Sequence, residues 1–318
     1  MAGNAERVLI TGGTGFLGAC LTRDLIAAGA DVHLILRPGS DTWRLAGVEH
    51  ACRVHRADLR DGPAVARAVA ECRPEVVYHV AAYGVLPSQK GRSAIVATNL
   101  IGLANLLDAL DGHDYRALVN TGTGAEYGPR DEPIREGDRL EPRTDYAVAK
   151  AAATLFCQAE AHKGRPATTV RIFAAYGPWE DPGRLVPYVM GCCLRGESPR
   201  LSAGLQRRDF IHVEDVVALL RAAAGEPRSR GQILHAGTGN AHSVREAVGV
   251  ILSVCGGGRV AAQFGAEAVR AGEPATYVAD AARTTELTGW RPRYDLRAGI
   301  ERTWDWFRSA GPALARTA

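Results

Sequence analysis

The stretch from Val8 to Gly18 limits the possible folds of this chain more than any other. Val8-Leu9-Ile10-Thr11 is an apolar strand pattern, Gly12-Gly13-Thr14-Gly15 a glycine loop, and Phe16-Leu17-Gly18 opens a helical pattern. Gly13-x-Gly15-x-x-Gly18 matches the dinucleotide fingerprint, and Gly12-x-x-Gly15-x-x-Gly18 its variant spacing. Missing side chains let backbone N–H groups approach a pyrophosphate at a helix N-terminus, where the helix dipole favours negative charge. A glycine triplet alone is a weak signal; between a strand and a helix at the start of a chain it predicts a dinucleotide site.

Short β-branched runs at 7–11, 31–36, 53–57, 75–80, 117–121 and 168–173 read as strands covered on both faces. Helical patterns at 17–28, 62–71, 93–110 and 146–162 lie between them. Strict alternation predicts an α/β fold, a doubly wound parallel sheet of Rossmann type. Residues 1–175 are expected to form the dinucleotide-binding domain, and 176–318 mainly a smaller C-terminal substrate-binding lobe interleaved with the sheet. In that lobe Pro178, Pro182, Gly183, Pro187 and Pro199 break up the chain, with a strand near 209–212 and helices near 214–224, 243–254 and 296–307.

A net charge of +3, with scattered basic residues, argues against nucleic acid and membrane surfaces as partners. No apolar run reads as membrane-spanning and residues 1–7 lack a signal-peptide pattern, so a cytoplasmic protein is expected. Seven cysteines without a C-x-x-C pair read as reduced and mostly buried, and nine histidines without H-E-x-x-H spacing give no metal site.

The end of the second strand bears on which dinucleotide binds. An acid there accepts from the ribose 2′-hydroxyl of NAD; this chain has Arg37, suited to a 2′-phosphate, which favours NADP(H) over NAD(H). Asp58, after the third strand, reads either as an acceptor for the adenine amino group or as the N-cap of the next helix. Farther on, Tyr146 and Lys150 stand four apart on a predicted helix and share a face. A phenol with a pKa near ~10 exchanges protons poorly at neutral pH, and a neighbouring ammonium favours the phenolate. The chain has three lysines among 38 basic residues, so a lysine at this spacing is informative. Thr123, in Asn120-Thr121-Gly122-Thr123-Gly124 after the fifth strand, is the expected hydroxyl for a substrate oxygen; Thr121 reads as packed at the strand end or touching the cofactor.

These motifs, with His79-Val80-Ala81-Ala82, Asn99, Glu126-Tyr127-Gly128, Tyr176-Gly177-Pro178, Arg208-Asp209-Phe210-Ile211-His212-Val213 and Gly289-Trp290-x-Pro292, resemble the extended short-chain dehydrogenase/reductase family. That family contains sugar-nucleotide epimerases, dehydratases and 4-ketoreductases. The resemblance implies Thr123, Tyr146 and Lys150 as catalytic residues. It implies cofactor contacts from Gly12, Gly15, Phe16, Leu17, Arg37, Asp58, Leu59, Ala81, Ala82 and Thr121 as well as Tyr146 and Lys150. It also implies a nucleoside-diphosphate sugar held by Thr123, Leu185, Arg208 and Arg270, and a homodimer. Family dehydratases and decarboxylases place an acid directly after the catalytic hydroxyl; here Gly124 and Ala125 follow, and Glu126 comes one residue too late. Ala174 replaces an asparagine that many epimerases carry.

The expected activity is therefore oxidoreduction at C4 of a nucleotide sugar, foremost as a 4-ketoreductase. A 4-epimerase with retained NAD uses the same residues and is the alternative. Behind it stand a reductase of non-nucleotide ketones and a non-catalytic dinucleotide sensor.

Overall fold

The computed structural model describes residues 5–86, 88–256, 258–268 and 275–314. β1 (Arg7–Thr11) leads through the glycine loop into α1 (Phe16–Ala27), followed by β2 (Asp31–Leu36) and β3 (Cys52–Arg56). Next come α2 (Gly62–Cys72), β4 (Val76–His79), α3 (Arg92–Val96), a π turn (Ala97–Ile101), α4 (Gly102–Leu110) and β5 (Ala117–Thr123). α5 (Asp145–His162), β6 (Ala167–Ile172), β7 (Ala174–Tyr176) and α6 (Leu185–Arg195) lead to β8 (Arg200–Leu201), β9 (Arg207–His212) and α7 (Val213–Gly225). β10 (Ile233–Ala236), β11 (Ala241–Ser243), α8 (Val244–Cys255), β12 (Gln263–Phe264), β13 (Thr276–Tyr277), α9 (Ala282–Thr288) and α10 (Leu296–Leu314) complete the described chain.

Seven parallel strands form the main sheet in the order β10-β6-β5-β4-β1-β2-β3. Successive residues of β1 point to opposite faces, which is why both faces are apolar. Val8 and Ile10 enter a core with Leu21, Val119 and Leu220, while Leu9 enters another with Val77, Leu106 and Leu118. The connections reverse direction between β1 and β4, opening a crevice at the carboxyl edge of the sheet. The C-terminal lobe is built on β9, which pairs in parallel with β7 and β13 and antiparallel with β11. Its core gathers Val189, Phe210, Ile251 and Ile300 from α6, β9, α8 and α10.

Three sequence expectations need correction. Pro187 does not break the chain: it sits in the first turn of α6, where its missing N–H removes no intrahelical bond. The helix expected at 93–110 is interrupted by the π turn, where Asn99 donates to Tyr83 O at 2.7 Å and accepts from Tyr83 N at 3.1 Å. The same run, Arg92–Leu110, is long and apolar enough to cross a membrane by length and composition, contrary to the sequence reading. Leu103, Leu106, Leu107 and Leu110 bury one face of it in the core, as in the core helix of a soluble protein.

Candidate active site

The glycines of the first loop are not equivalent. Gly12 has φ +75°, and a Cβ there would lie 2.6 Å from the Ala81 backbone. A Cβ at Gly18 would sit 2.1 Å from Gly12 O, and one at Gly13 2.9 Å from the Leu34 side chain. Gly12 and Gly18 are required by backbone crowding within the loop and against Ala81, and Gly13 is favoured by its contact with the Leu34 side chain of β2. Gly15 differs: its φ is −76°, and its added Cβ would meet only Gly12 O at 3.3 Å. Its conformation does not ask for glycine, and its packing does so far less than at Gly12 and Gly18. It is the N-cap of α1, which has no side-chain cap and no acid in its first turn. An anionic group brought against this helix end explains the missing side chain, so the loop fits a pyrophosphate. Phe16 and Leu17 form the first turn, and buried Ala81 with exposed Ala82 continues β4 beside it.

At the expected adenosine end, Arg37 is exposed after β2 and makes no side-chain hydrogen bond among the described residues. Asp58 is gripped by Arg60, whose Nε reaches Oδ1 at 2.9 Å and whose Nη2 reaches Oδ2 at 2.6 Å. That bond, assisted by Arg37, holds the Asp58 carboxyl below its ordinary range. The N-cap alternative for Asp58 is overturned, because α2 is capped by Asp61, which accepts from Ala64 N at 3.1 Å. Leu59 is buried under Gly102 of α4.

Thr123 ends β5 and caps the short turn Gly124–Tyr127. Its Oγ1 accepts from Ala125 N at 3.2 Å, and its own N–H donates to Glu126 Oε1 at 2.8 Å. The Thr121 hydroxyl is already engaged, donating to His79 O at 3.1 Å inside the sheet. Glu126 does not open on the crevice. It is 0 % exposed, takes Arg171 Nε at 2.7 Å and Thr154 Oγ1 at 3.0 Å, and is sealed between β5, β6 and α5. Arg171 also donates to the Tyr127 hydroxyl, which contacts His235 Nε2 at 2.8 Å.

Tyr146 and Lys150 occupy the first two turns of α5, whose N-cap Thr144 accepts from Ala147 N. Lys150 is 1 % exposed, and its Nζ has no hydrogen-bond partner among the described residues. Burial lowers its pKa to about 8, opposed by Glu126. His79 Nε2 and Asn120 Oδ1 are likewise buried without a partner, and the Lys150 charge bears on His79. A buried ammonium without a partner fits ligand hydroxyls as acceptors, as a nicotinamide ribose would offer. One expected effect is corrected: burial pushes the Tyr146 phenol above its ordinary range, and the cation that opposes this in the ligand-free protein is Arg184, not Lys150.

On the substrate side, Arg208 lies half-buried on β9 with Nη1 donating to Arg207 O at 2.7 Å, in register with Tyr277 of β13. Leu185 is the first residue of α6, and Arg184 is its N-cap, 3.6 Å from Glu180. Arg270 lies outside the described residues. Sequence reasoning missed Arg184, Arg60 and Tyr277. Tyr277 Oη stands 3.4 Å from Thr123 Oγ1, in a two-residue strand that carries no motif. The available signal was Gly124: a glycine beside the expected catalytic hydroxyl marks a close approach, here to Tyr277.

Over residues 8–237 the chain matches the NAD dependent epimerase/dehydratase family. It is 26% identical to a UDP-glucose 4-epimerase of Lacticaseibacillus casei, across 94% of this chain and 96% of that protein. It is 31% identical to a dTDP-glucose 4,6-dehydratase of Streptomyces antibioticus, across 95% of this chain and 92% of that one. The solved structure of a Thermus thermophilus UDP-glucose 4-epimerase complexed with NAD matches with a TM-score of 0.85 and 31% identity, covering 96% and 99% of the two chains.

Proposed function

We propose a function from one premise: the chain belongs to the NAD dependent epimerase/dehydratase family and is an enzyme of it. Within that family we infer a non-eliminating oxidoreductase acting at C4 of a nucleoside-diphosphate sugar, running foremost as a 4-ketoreductase. The observation that carries the reading is the crowding at Gly124. A Cβ there would lie 2.6 Å from Tyr277 Oη and 2.9 Å from the Phe173 ring. An acid at that position, which elimination calls for, has no room unless Tyr277 moves. Glu126, the nearest carboxylate in sequence, is locked to Arg171 and Thr154.

When bound along the glycine loop, a nicotinamide dinucleotide supplies the hydride and, once oxidised, a positive ring charge. The residues then have separate tasks. Thr123 donates a hydrogen bond to the C4 oxygen and stabilises charge as it develops there. Tyr146 gives its proton to that oxygen as C4 accepts hydride, and is reprotonated from solvent. Lys150 would hold the ribose hydroxyls, while Arg184 is the cation that favours the Tyr146 phenolate. Arg208, with Arg270 by resemblance, pairs with diphosphate oxygens, and Arg184 offers a third cation at the same side of the crevice.

Arg37 supports NADP(H), because an exposed guanidinium stands where an acid would accept from a 2′-hydroxyl. A second reading, a 4-epimerase with retained NAD, is supported by the relatives of that name and by the NAD in the Thermus structure. The discriminating experiment is to denature the purified protein and identify the released dinucleotide by mass spectrometry. NADPH and NADH oxidation are then followed with dTDP-4-keto-6-deoxyglucose, and epimerisation with UDP-glucose. Stoichiometric NAD with UDP-glucose turnover selects the epimerase; NADPH oxidation selects the reductase; a 4-keto-6-deoxy product from dTDP-glucose overturns both.

We also propose a homodimer. Val148, Leu155 and Phe156 form an exposed apolar stripe along α5, with Ile101 exposed on the π turn before α4. A second copy presenting the same helices covers this stripe. A monomer in sedimentation equilibrium excludes it.

A further inference from the structure

We propose that Tyr277 is a positioning residue that commits the Thr123 hydroxyl to donating toward the substrate oxygen. The inference rests on the reading above, in which Thr123 faces the reacting oxygen.

A threonine hydroxyl has one proton to give and two lone pairs to fill. One lone pair of Thr123 Oγ1 is taken by Ala125 N–H at 3.2 Å. Tyr277 Oη lies 3.4 Å away, and Thr123 Oγ1 is its only hydrogen-bond partner among the described residues. Either hydroxyl could donate across this contact, and we assign the donor to the phenol because Ala125 N–H already occupies one lone pair of Oγ1 and leaves the other facing Tyr277. Burial also pushes its pKa above the ordinary range, so the proton stays on. The phenol therefore donates to Oγ1 and fills the second lone pair. The proton is all that remains to Thr123, and it is directed at whatever oxygen enters the crevice. Hydrogen bonds in series also polarise one another, which strengthens the outward donor.

Several elements of the fold converge on this contact. β13 is only two residues long and is held in register by β9, with Tyr277 opposite Arg208. The Tyr277 ring rests on Phe173 at 4.8 Å between centroids. Gly124 has no positive φ, so its backbone does not demand glycine; the glycine is explained by the phenol passing over it to reach Thr123. One short sheet thus carries both the expected diphosphate anchor and the group that aims the hydroxyl at the sugar ring.

Two measurements test this. In protein labelled with 13C at tyrosine Cζ, Thr123→Val and Gly124→Ala should both move the same tyrosine resonance, the one lost in Tyr277→Phe. If Thr123→Val moves none, the hydrogen bond is absent and the proposal falls, whatever the substrate proves to be. The kinetic measurement uses UDP-glucose and dTDP-4-keto-6-deoxyglucose as probes. Tyr277→Phe should lower kcat about tenfold with KM and melting temperature nearly unchanged, less than the loss of a direct oxyanion donor. In a Thr123→Val background the same change should cost nothing further, because the phenol acts through that hydroxyl. An equal cost in both backgrounds, or a faster Tyr277→Phe enzyme, overturns the proposal. Absence of turnover by the unaltered protein on either probe counts against the parent reading, while the resonance measurement still decides the pair.

Discussion

Two polar clusters flank the end of β5 within a few residues of each other, and they are built on opposite plans. In one, the rear cluster, Glu126, Arg171, Thr154, Tyr127 and His235 satisfy one another, and both charged members are almost wholly inaccessible. In the other, the front cluster on the same α5 side of the sheet, Lys150 Nζ, His79 Nε2 and Asn120 Oδ1 are buried without partners among the described residues. Buried polar groups left unpaired are costly, so the front cluster is open to a ligand that would pair it, while the rear one is already satisfied. A satisfied network braces the turn that carries Thr123; an unsatisfied one is where the proposed chemistry is assigned.

The largest effect that would sharpen this contrast is Tyr146→Phe. It removes a hydroxyl that makes no hydrogen bond among the described residues, so melting is expected to stay put. Turnover should fall about 10²–10⁴-fold, the usual worth of a positioned proton donor, with dinucleotide binding retained. An active Tyr146→Phe enzyme would break the assignment of the front cluster.

Arg171→Met attacks the rear cluster and is expected to behave in the opposite way. It leaves the Glu126 carboxylate buried and uncompensated, and removing one partner of a buried pair costs about 3–5 kcal/mol. The midpoint of urea unfolding should drop accordingly. The companion change Glu126→Gln with Arg171→Met should recover part of it. Loss of activity without loss of stability would mean that Glu126 reaches the crevice after all.

The two clusters also differ in how far the sequence revealed them. The shared side of Tyr146 and Lys150 was legible because a helix turns spacing into a shared face, and the glycine loop because its turn and packing demand glycines at fixed spacing. The rear cluster was half-legible: Glu126 was recognised as misplaced for acid catalysis, but its partner Arg171 lies across a strand pairing that no local pattern predicts. Tyr277 was illegible for the same reason, since it reaches Thr123 through a two-residue strand held by β9. Asp58 and Asp61 show the limit at short range. Both precede α2, and only the one that reaches Ala64 N is the cap.

A pH series separates the two plans further. The Lys150 pKa stands at about 8, below its unfolded value. Between those values the unfolded chain binds a proton that the folded chain does not, so ligand-free stability gains from Lys150 as pH rises through about 8. Dinucleotide binding runs the other way. The charged ammonium donates to the ligand, so affinity should fall above pH 8, by at most about tenfold per unit. Calorimetry in buffers of different ionisation enthalpy should show proton uptake on binding near that pH. Lys150→Met should abolish both trends, and a pH-independent affinity in the unaltered protein would show that the ammonium is not the group being satisfied.

The smallest effect tests the glycine loop, where the same division between bracing and binding is repeated within a single turn of chain. Gly18→Ala puts a methyl 2.1 Å from Gly12 O and should disturb the loop itself, lowering stability along with affinity. Gly15→Ala meets only Gly12 O at 3.3 Å, a contact that a shift of a few tenths of an ångström relieves, and keeps an ordinary φ, so its stability loss should be far smaller than that of Gly18→Ala. Its methyl projects into the space assigned to the pyrophosphate, and dinucleotide affinity should drop severalfold in equilibrium titration. Equal affinities for Gly15→Ala and the unaltered protein would leave the glycine unexplained and move the pyrophosphate away from the α1 terminus. A stability loss as large as that of Gly18→Ala would make Gly15 one more piece of loop packing.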